Sequence, residues 1–259
     1  MILNTEYSQE TELRKGREHF LVRRSLYRIF SACFLYPTEE RFSFFKNFEF
    51  IELVNNVDSC YKEVNSTATL GTGLMRLLVS LEKTTISSLQ SIYIQDTGHI
   101  ISRGGPLSEI QHGRSHVFQQ VQVLNNVQGF YNVFVLDMPE EETGRSEHIS
   151  VMFEFMQFLL QKQTDALENH ETRQMTLYLG AQKKFLKEQA GEWMLLFAML
   201  SGKKSKEGFY SELADLTKEF VGLEMKLFGL ETGAYKESGG TQKGLAGFPD
   251  ESFHWPSMD

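Results

Sequence analysis

The chain has 259 residues, Lys+Arg 26 against Asp+Glu 34, a formal net charge of -8 and two cysteines. A chain of this size buries roughly 70–75% of its unfolded surface, enough for one large core. The acidic balance argues against a nucleic-acid binder held by a general phosphate field. Cys33 and Cys60 are too few for a disulfide framework or a Cys-based zinc site, so a reduced, cytoplasmic protein is expected.

Val22-Arg23-Arg24-Ser25-Leu26 carries a twin arginine ahead of the apolar Phe30 to Tyr36. Arg28 cuts that run off from the twin arginine, Pro37 and Thr38-Glu39-Glu40-Arg41 end it, and no small-x-small cleavage site follows. No window approaches the roughly 20 apolar residues of a membrane helix. The chain is therefore expected to be neither exported nor membrane-integral.

Phe20, Tyr27, Phe30 and Phe34 recur at helical spacing and predict a long first helix, stopped by Pro37. Phe42 to Val64 reads as two short helices. Leu74, Leu77, Leu78, Leu81, Leu89 and Ile92 predict one further helix, with Gly71 and Gly73 near its start. Gln95 to Ser115, with Gly98, Gly104, Gly105, Pro106 and Gly113, reads as a long connection. Val117 to Leu136 is helical in pattern and stops at Asp137-Met138-Pro139. The acidic turn Glu140-Glu141-Glu142-Thr143-Gly144 comes next, and Ser146 is the predicted N-cap of the following helix.

In that helix Ile149, Met152, Phe153, Met156, Leu159 and Leu160 form the apolar stripe, and Phe155 and Phe158 broaden it. Two more helices are predicted, from about Glu171 to Leu200 and from Ser205 to Leu227. Their core positions include Phe185, Trp193, Leu196 and Phe197, then Phe209, Leu213, Leu216, Phe220 and Leu227. No run alternates with period two. The expected fold is all-α, a single-domain helical bundle over residues 1–228 with a Gly-rich tail at 229–259, where Phe248, Phe253 and Trp255 form the last apolar cluster.

Glu109, His112 and His116 stand at i, i+3 and i+7, and a Glu-x-x-His pair is half of a di-iron carboxylate site. The other half is missing from any predicted helix, so a metal site or a metalloenzyme on a helical bundle is the alternative reading rather than the main one. Cys33 falls on an apolar face, and the chain holds no G-x-S-x-G, P-loop or G-x-G-x-x-G. No catalytic residue, resident cofactor or metal is expected. Around Pro139 to Phe155, the acidic turn and Arg145-Ser146-Glu147-His148 gather polar groups beside an apolar stripe. This is the pattern of an ordinary capped helix start as well as of a binding rim.

Four blocks carry a family resemblance. They are Arg24-Ser25-Leu26-Tyr27 to Phe34-Leu35-Tyr36-Pro37; Gly129-Phe130-Tyr131-Asn132-Val133-Phe134; Arg145-Ser146-Glu147-His148-Ile149 with Phe153-Glu154-Phe155-Met156; and Trp193 and Phe197 with Phe209-Tyr210 and Leu213-Ala214. In this order they resemble the TorD/DmsD/NarJ family of molybdoenzyme-maturation chaperones, which are all-helical. Glu147 stands where many members have Asp, Val135 where Gly is frequent, and Pro106-Leu107-Ser108-Glu109 matches the family's Pro-x-Glu-Ser/Thr loop in part.

The resemblance implies a cytoplasmic chaperone, not an enzyme, for the N-terminal twin-arginine leader of a molybdopterin-containing oxidoreductase subunit. It would act until the cofactor is inserted, as a monomer or a segment-swapped dimer. Pro139, Arg145, Glu147 and His148, with Glu109, are the implied leader-binding residues. Carboxylates at Glu140, Glu141, Glu142 and Glu147 suit paired guanidinium groups, and Met152 and Met156 would suit an adaptable apolar surface.

Overall fold

The computed structural model describes residues 2–94, 149–191 and 208–230, with positions 129, 194, 195 and 198, and side chains from Lys15 on except Gln189. Helix is the regular secondary structure throughout the described residues. The first helix, α1 (Ile2–Cys33), runs for 32 residues because no breaker interrupts it before Pro37. Its last turn tightens, with Leu35 N–H donating to Ala32 O at 3.3 Å. Pro37 O then accepts from Gln90 Nε2 at 2.9 Å, pinning the chain reversal.

Thr38 caps the short α2 (Glu39–Phe42), accepting from Arg41 N–H at 3.2 Å, and a 3₁₀ turn at Ser43–Lys46 leads to α3 (Phe48–Cys60). The expected single helix after residue 70 is in fact two, α4 (Leu70–Glu82) and α5 (Ile86–Ile92). Thr84 Oγ1 bonds back to Ser80 O, and Thr85 takes up an extended conformation and caps Ser88 N–H. Two adjacent threonines that serve the backbone better as cap and terminator than as helix interior explain the break.

The later helices are α6 (Ile149–Glu168), α7 (Thr172–Phe185), which continues through a π-type turn at Leu186–Ala190, and α8 (Phe209–Leu227). The α6–α7 corner turns on His170 in the left-handed region, with Glu171 N–H returning to Ala166 O at 2.8 Å. Gly229 (φ 64°) ends α8 in the same way, as Leu230 N–H reaches Met225 O at 2.8 Å. A left-handed position suits glycine because it has no Cβ to clash.

Among the described residues the most extensive packing is α1 along α6, and α7 packs on α6 while α8 packs on α4. Aromatic rings join α1, α6 and α8. Phe30 stacks on Phe153 at 5.2 Å and on Phe220 at 4.8 Å, and Phe34 stacks on Phe153 at 5.9 Å. The stripe expected on α6 is buried at Ile149, Met152, Phe153, Met156, Leu159 and Leu160, together with Phe155. Phe209, Leu213, Leu216 and Phe220 are buried on α8 as expected. Gly71 and Gly73 lie near the start of a helix, as expected. They sit within α4 where α3 and α8 approach, and Gly71 N–H donates to Asp58 Oδ1 at 2.9 Å.

Candidate functional site

Glu109, Pro139, Arg145, Glu147 and His148 lie outside the described residues, as do His112, His116 and Glu140 to Glu142. The helix they lead into is described from its first turn, where Ile149 and Ser150 are already buried. Met152 and Met156 are 2% and 0% exposed, so they fill the core and offer no adaptable surface to a ligand. That corrects the surface role considered for them. Both lie on the stripe that faces α1, where a flexible thioether fills gaps between aromatic rings.

Where α1, α7 and α8 converge, the described residues hold a buried polar cluster. Arg23, 1% exposed, donates from Nε to Glu224 Oε1 at 2.8 Å and from Nη2 to Glu224 Oε2 at 2.7 Å. Tyr27 Oη donates to Oε2 at 2.8 Å, and Tyr61 Oη, at the end of α3, donates to Oε1 at 2.6 Å. Gln182 on α7 accepts from Arg23 Nη2 at 3.0 Å and donates to Gln163 Oε1 on α6 at 2.7 Å. Five helices therefore meet in one hydrogen-bonded unit. The Arg23 guanidinium also lies over the Phe228 ring, 5.3 Å from its centroid.

Burial opposes the charge on Glu224. Arg23 and the hydrogen bonds from Arg23, Tyr61 and Tyr27 outweigh burial and hold the carboxyl below its usual value. Burial likewise opposes the Arg23 charge, and Glu224 reverses that, so Arg23 stays protonated. Tyr27 and Tyr61 are pushed well up, first by burial and then by Glu224, and remain hydroxyl donors. His19, one turn before Arg23, is lowered by burial and then by the Arg23 charge. The second arginine of the pair, Arg24, donates to Gln161 on α6, which in turn bonds Asp165 at 2.7 Å. The two arginines thus serve the fold.

The sequence does carry a sign of this cluster. Arg23 falls within the stripe Phe20, Arg23, Tyr27, Phe30, Phe34, and Glu224 follows Phe220 by one turn on α8. A charge on each of two apolar stripes calls for a partner, because an unpaired buried charge is prohibitive.

No group of three or more potential metal ligands occurs among the described residues, and no helix there is long and apolar enough to cross a membrane. Residues 72–199 match the family model described as nitrate reductase delta subunit. Over that span, just under half of the chain, the sequence is similar to the nitrate reductase delta subunit family. The family is one of NarJ/TorD-type molybdoenzyme-maturation chaperones, and its members act with molybdoenzyme subunits. No curated protein and no solved structure matches the chain. The family's span takes in Glu109, Pro139, Arg145, Glu147 and His148, whereas Arg23, Tyr27, Tyr61 and Glu224 lie beyond its limits.

Proposed function

We propose that this chain is a cytoplasmic chaperone, not an enzyme, for a molybdopterin-containing oxidoreductase. It binds the twin-arginine leader of the client subunit and holds that subunit until its cofactor is inserted, before export or membrane docking. Its body is residues 1–228, with 229–259 as a tail. The observation that carries this reading is the family match over residues 72–199, which spans every residue of the proposed leader site. The chemistry supports it too. A leader presents guanidinium groups followed by an apolar stretch, and Glu140, Glu141, Glu142 and Glu147 supply carboxylates for bidentate, charge-assisted pairing. Pro139 stops one predicted helix and Arg145 precedes the next, bracketing the acidic turn, with Glu147 and His148 directly after it in sequence.

Titration of the full chain with a synthetic twin-arginine leader peptide tests the proposal. Binding is expected to weaken at least tenfold in a Glu147→Ala/His148→Ala double variant. Unchanged affinity would remove both residues from the site. Absence of binding by the wild-type chain would end the leader reading.

A further inference from the structure

Beside the buried cluster lies a groove of about 440 Å³ between α1, α7 and the end of α8, lined by His19, Phe20, Arg23, Leu179, Lys183 and Phe228 among others. Its back wall carries charge. Nε and Nη2 of Arg23 are committed to Glu224 and Gln182, but Nη1 makes no hydrogen bond among the described residues. Tyr210 Oη is the one fully buried side-chain polar atom there without a partner. Arg23 is only 1% exposed, and Nη1, uncommitted and not fully sealed, is the group it can offer to the groove that it lines.

Lys183 stands at the mouth and pairs with no carboxylate among the described residues. The Arg23–Glu224 pair is neutral as a unit, so Lys183 leaves the groove net positive. The walls are apolar: Phe20, Phe228 and Leu179, the last 44% exposed. Gly180 leaves one side open, since a Cβ built there meets nothing within 4 Å.

We propose that this groove binds a small organic anion, a carboxylate or phosphate on an apolar or aromatic body. The acid group sits on Arg23 Nη1 and Lys183, and the body lies against Phe20, Leu179 and Phe228. The volume falls in the range of small-molecule sites, roughly 300–1,000 Å³. Free inorganic anions are poor candidates because the apolar walls offer them nothing. A twin-arginine leader is also a poor fit, because two cations would face Arg23 and Lys183 across a groove with no free carboxylate. The site is thus separate from the leader site and stands or falls independently of it.

The probe is anilinonaphthalene sulfonate, an anion on an aromatic body, with uncharged N-phenylnaphthylamine as its control. The full chain is expected to bind the sulfonate with one-to-one saturation and to bind the neutral amine at least fivefold more weakly. Gly180→Leu starts from a Cβ that meets nothing within 4 Å and puts bulk into the groove, so it should weaken sulfonate binding at least tenfold at a melting temperature no lower than that of the wild type. Lys183→Glu should weaken it at least fivefold.

Competition then assigns the ligand class: stronger displacement by phenyl phosphate indicates a phosphate, and by benzoate a carboxylate. Displacement by neither overturns the proposal. So do absence of saturable binding, equal affinity for the neutral amine, or full affinity in Gly180→Leu.

Discussion

Arg23 on α1 and Glu224 on α8 hold each other through two parallel hydrogen bonds of 2.8 and 2.7 Å, across 201 positions of sequence. The pair sits at the meeting point of the fold's first and last described helices, and Tyr61 and Gln182 tie α3 and α7 to it. A buried ion pair adds little net stability over apolar residues of the same shape, because desolvation takes back most of the attraction. Its effect here is on which faces meet. Any slip of α1 against α8 leaves a charge buried without its partner.

That asymmetry gives the first prediction. Glu224→Gln keeps the shape and removes the charge, so Arg23 is left buried and unpaired. A loss of about 3–5 kcal/mol is expected in urea unfolding at pH 7. The double variant Arg23→Met/Glu224→Leu should recover most of that loss. A single-variant loss below about 1 kcal/mol would show that water or rearrangement compensates the pair.

Tyr61→Phe isolates one donor of the same cluster. Its hydroxyl gives the 2.6 Å bond to Glu224, and a hydrogen bond to a charged group contributes about 1.5–3 kcal/mol. A loss of that size is expected in urea unfolding, together with an upward shift in the pH at which the protein acid-unfolds. Tyr61→Phe matching the wild type in both would place its hydroxyl outside the energetics of the pair.

The pH dependence has two parts, and both run toward loss at low pH. Burial, then the Arg23 charge, lowers His19 from the ordinary 6.5, so below 6.5 the unfolded chain takes a proton before the folded one does. Stability therefore falls as pH drops from 6.5 toward the folded-state value. On Glu224, Arg23 and the hydrogen bonds outweigh burial and lower the carboxyl from 4.5, so its contribution is complete above 4.5 and is lost as pH falls through the folded-state value. Urea midpoints measured from pH 7.5 to 4 should decline less between 7 and 5.5 in His19→Gln than in the wild type, with the steeper acid loss retained. An identical slope in both proteins would contradict the assignment to His19.

The order and faces of the helices could be read from residue spacing because α1, α6 and α8 bury continuous stripes. The break at Thr84 and Thr85 could not, because Leu81 and Leu89 stay in helical phase across it, and only the threonine hydroxyls stop the helix. The buried cluster was half visible. Arg23 interrupts one stripe and Glu224 another, yet nothing local says that they face each other from opposite ends of the chain. The proposed roles of Glu147 and His148 rest on a family signature rather than on physics, since carboxylates at a helix start also suit the helix dipole.

The two cysteines are expected to be inert in the native protein. Cys33 is fully buried and its thiol pushed far up by burial, while burial and then Glu18 raise Cys60 to about 11. At pH 8 that leaves on the order of a thousandth of Cys60 as the reactive thiolate. An aromatic disulfide reagent should titrate fewer than one thiol per chain in buffer and two in denaturant. Rapid native reaction of one thiol would place Cys60 in a different environment.

Three helical glycines should respond to alanine in a fixed order. At Gly180 a Cβ meets nothing within 4 Å, so Gly180→Ala gains the helix preference of alanine, about 0.5–1 kcal/mol. At Gly73 the Cβ comes 2.6 Å from Leu216 Cδ1, the end of a side chain that can rotate away, so the helix gain and the repacking cost partly cancel. At Gly71 the obstacle is the Val54 backbone carbonyl at 2.8 Å, with the Asp58 carboxylate 3.0 Å away. A backbone cannot rotate out of the way. Gly71→Ala must push α3 off α4 and weaken the Asp58 bond to its own N–H, for a net loss of about 1 kcal/mol or more. Urea midpoints should therefore rank Gly180→Ala above wild type, Gly73→Ala near it and Gly71→Ala below it. If Gly71→Ala ranked with Gly180→Ala, the close α3–α4 approach would not exist in solution.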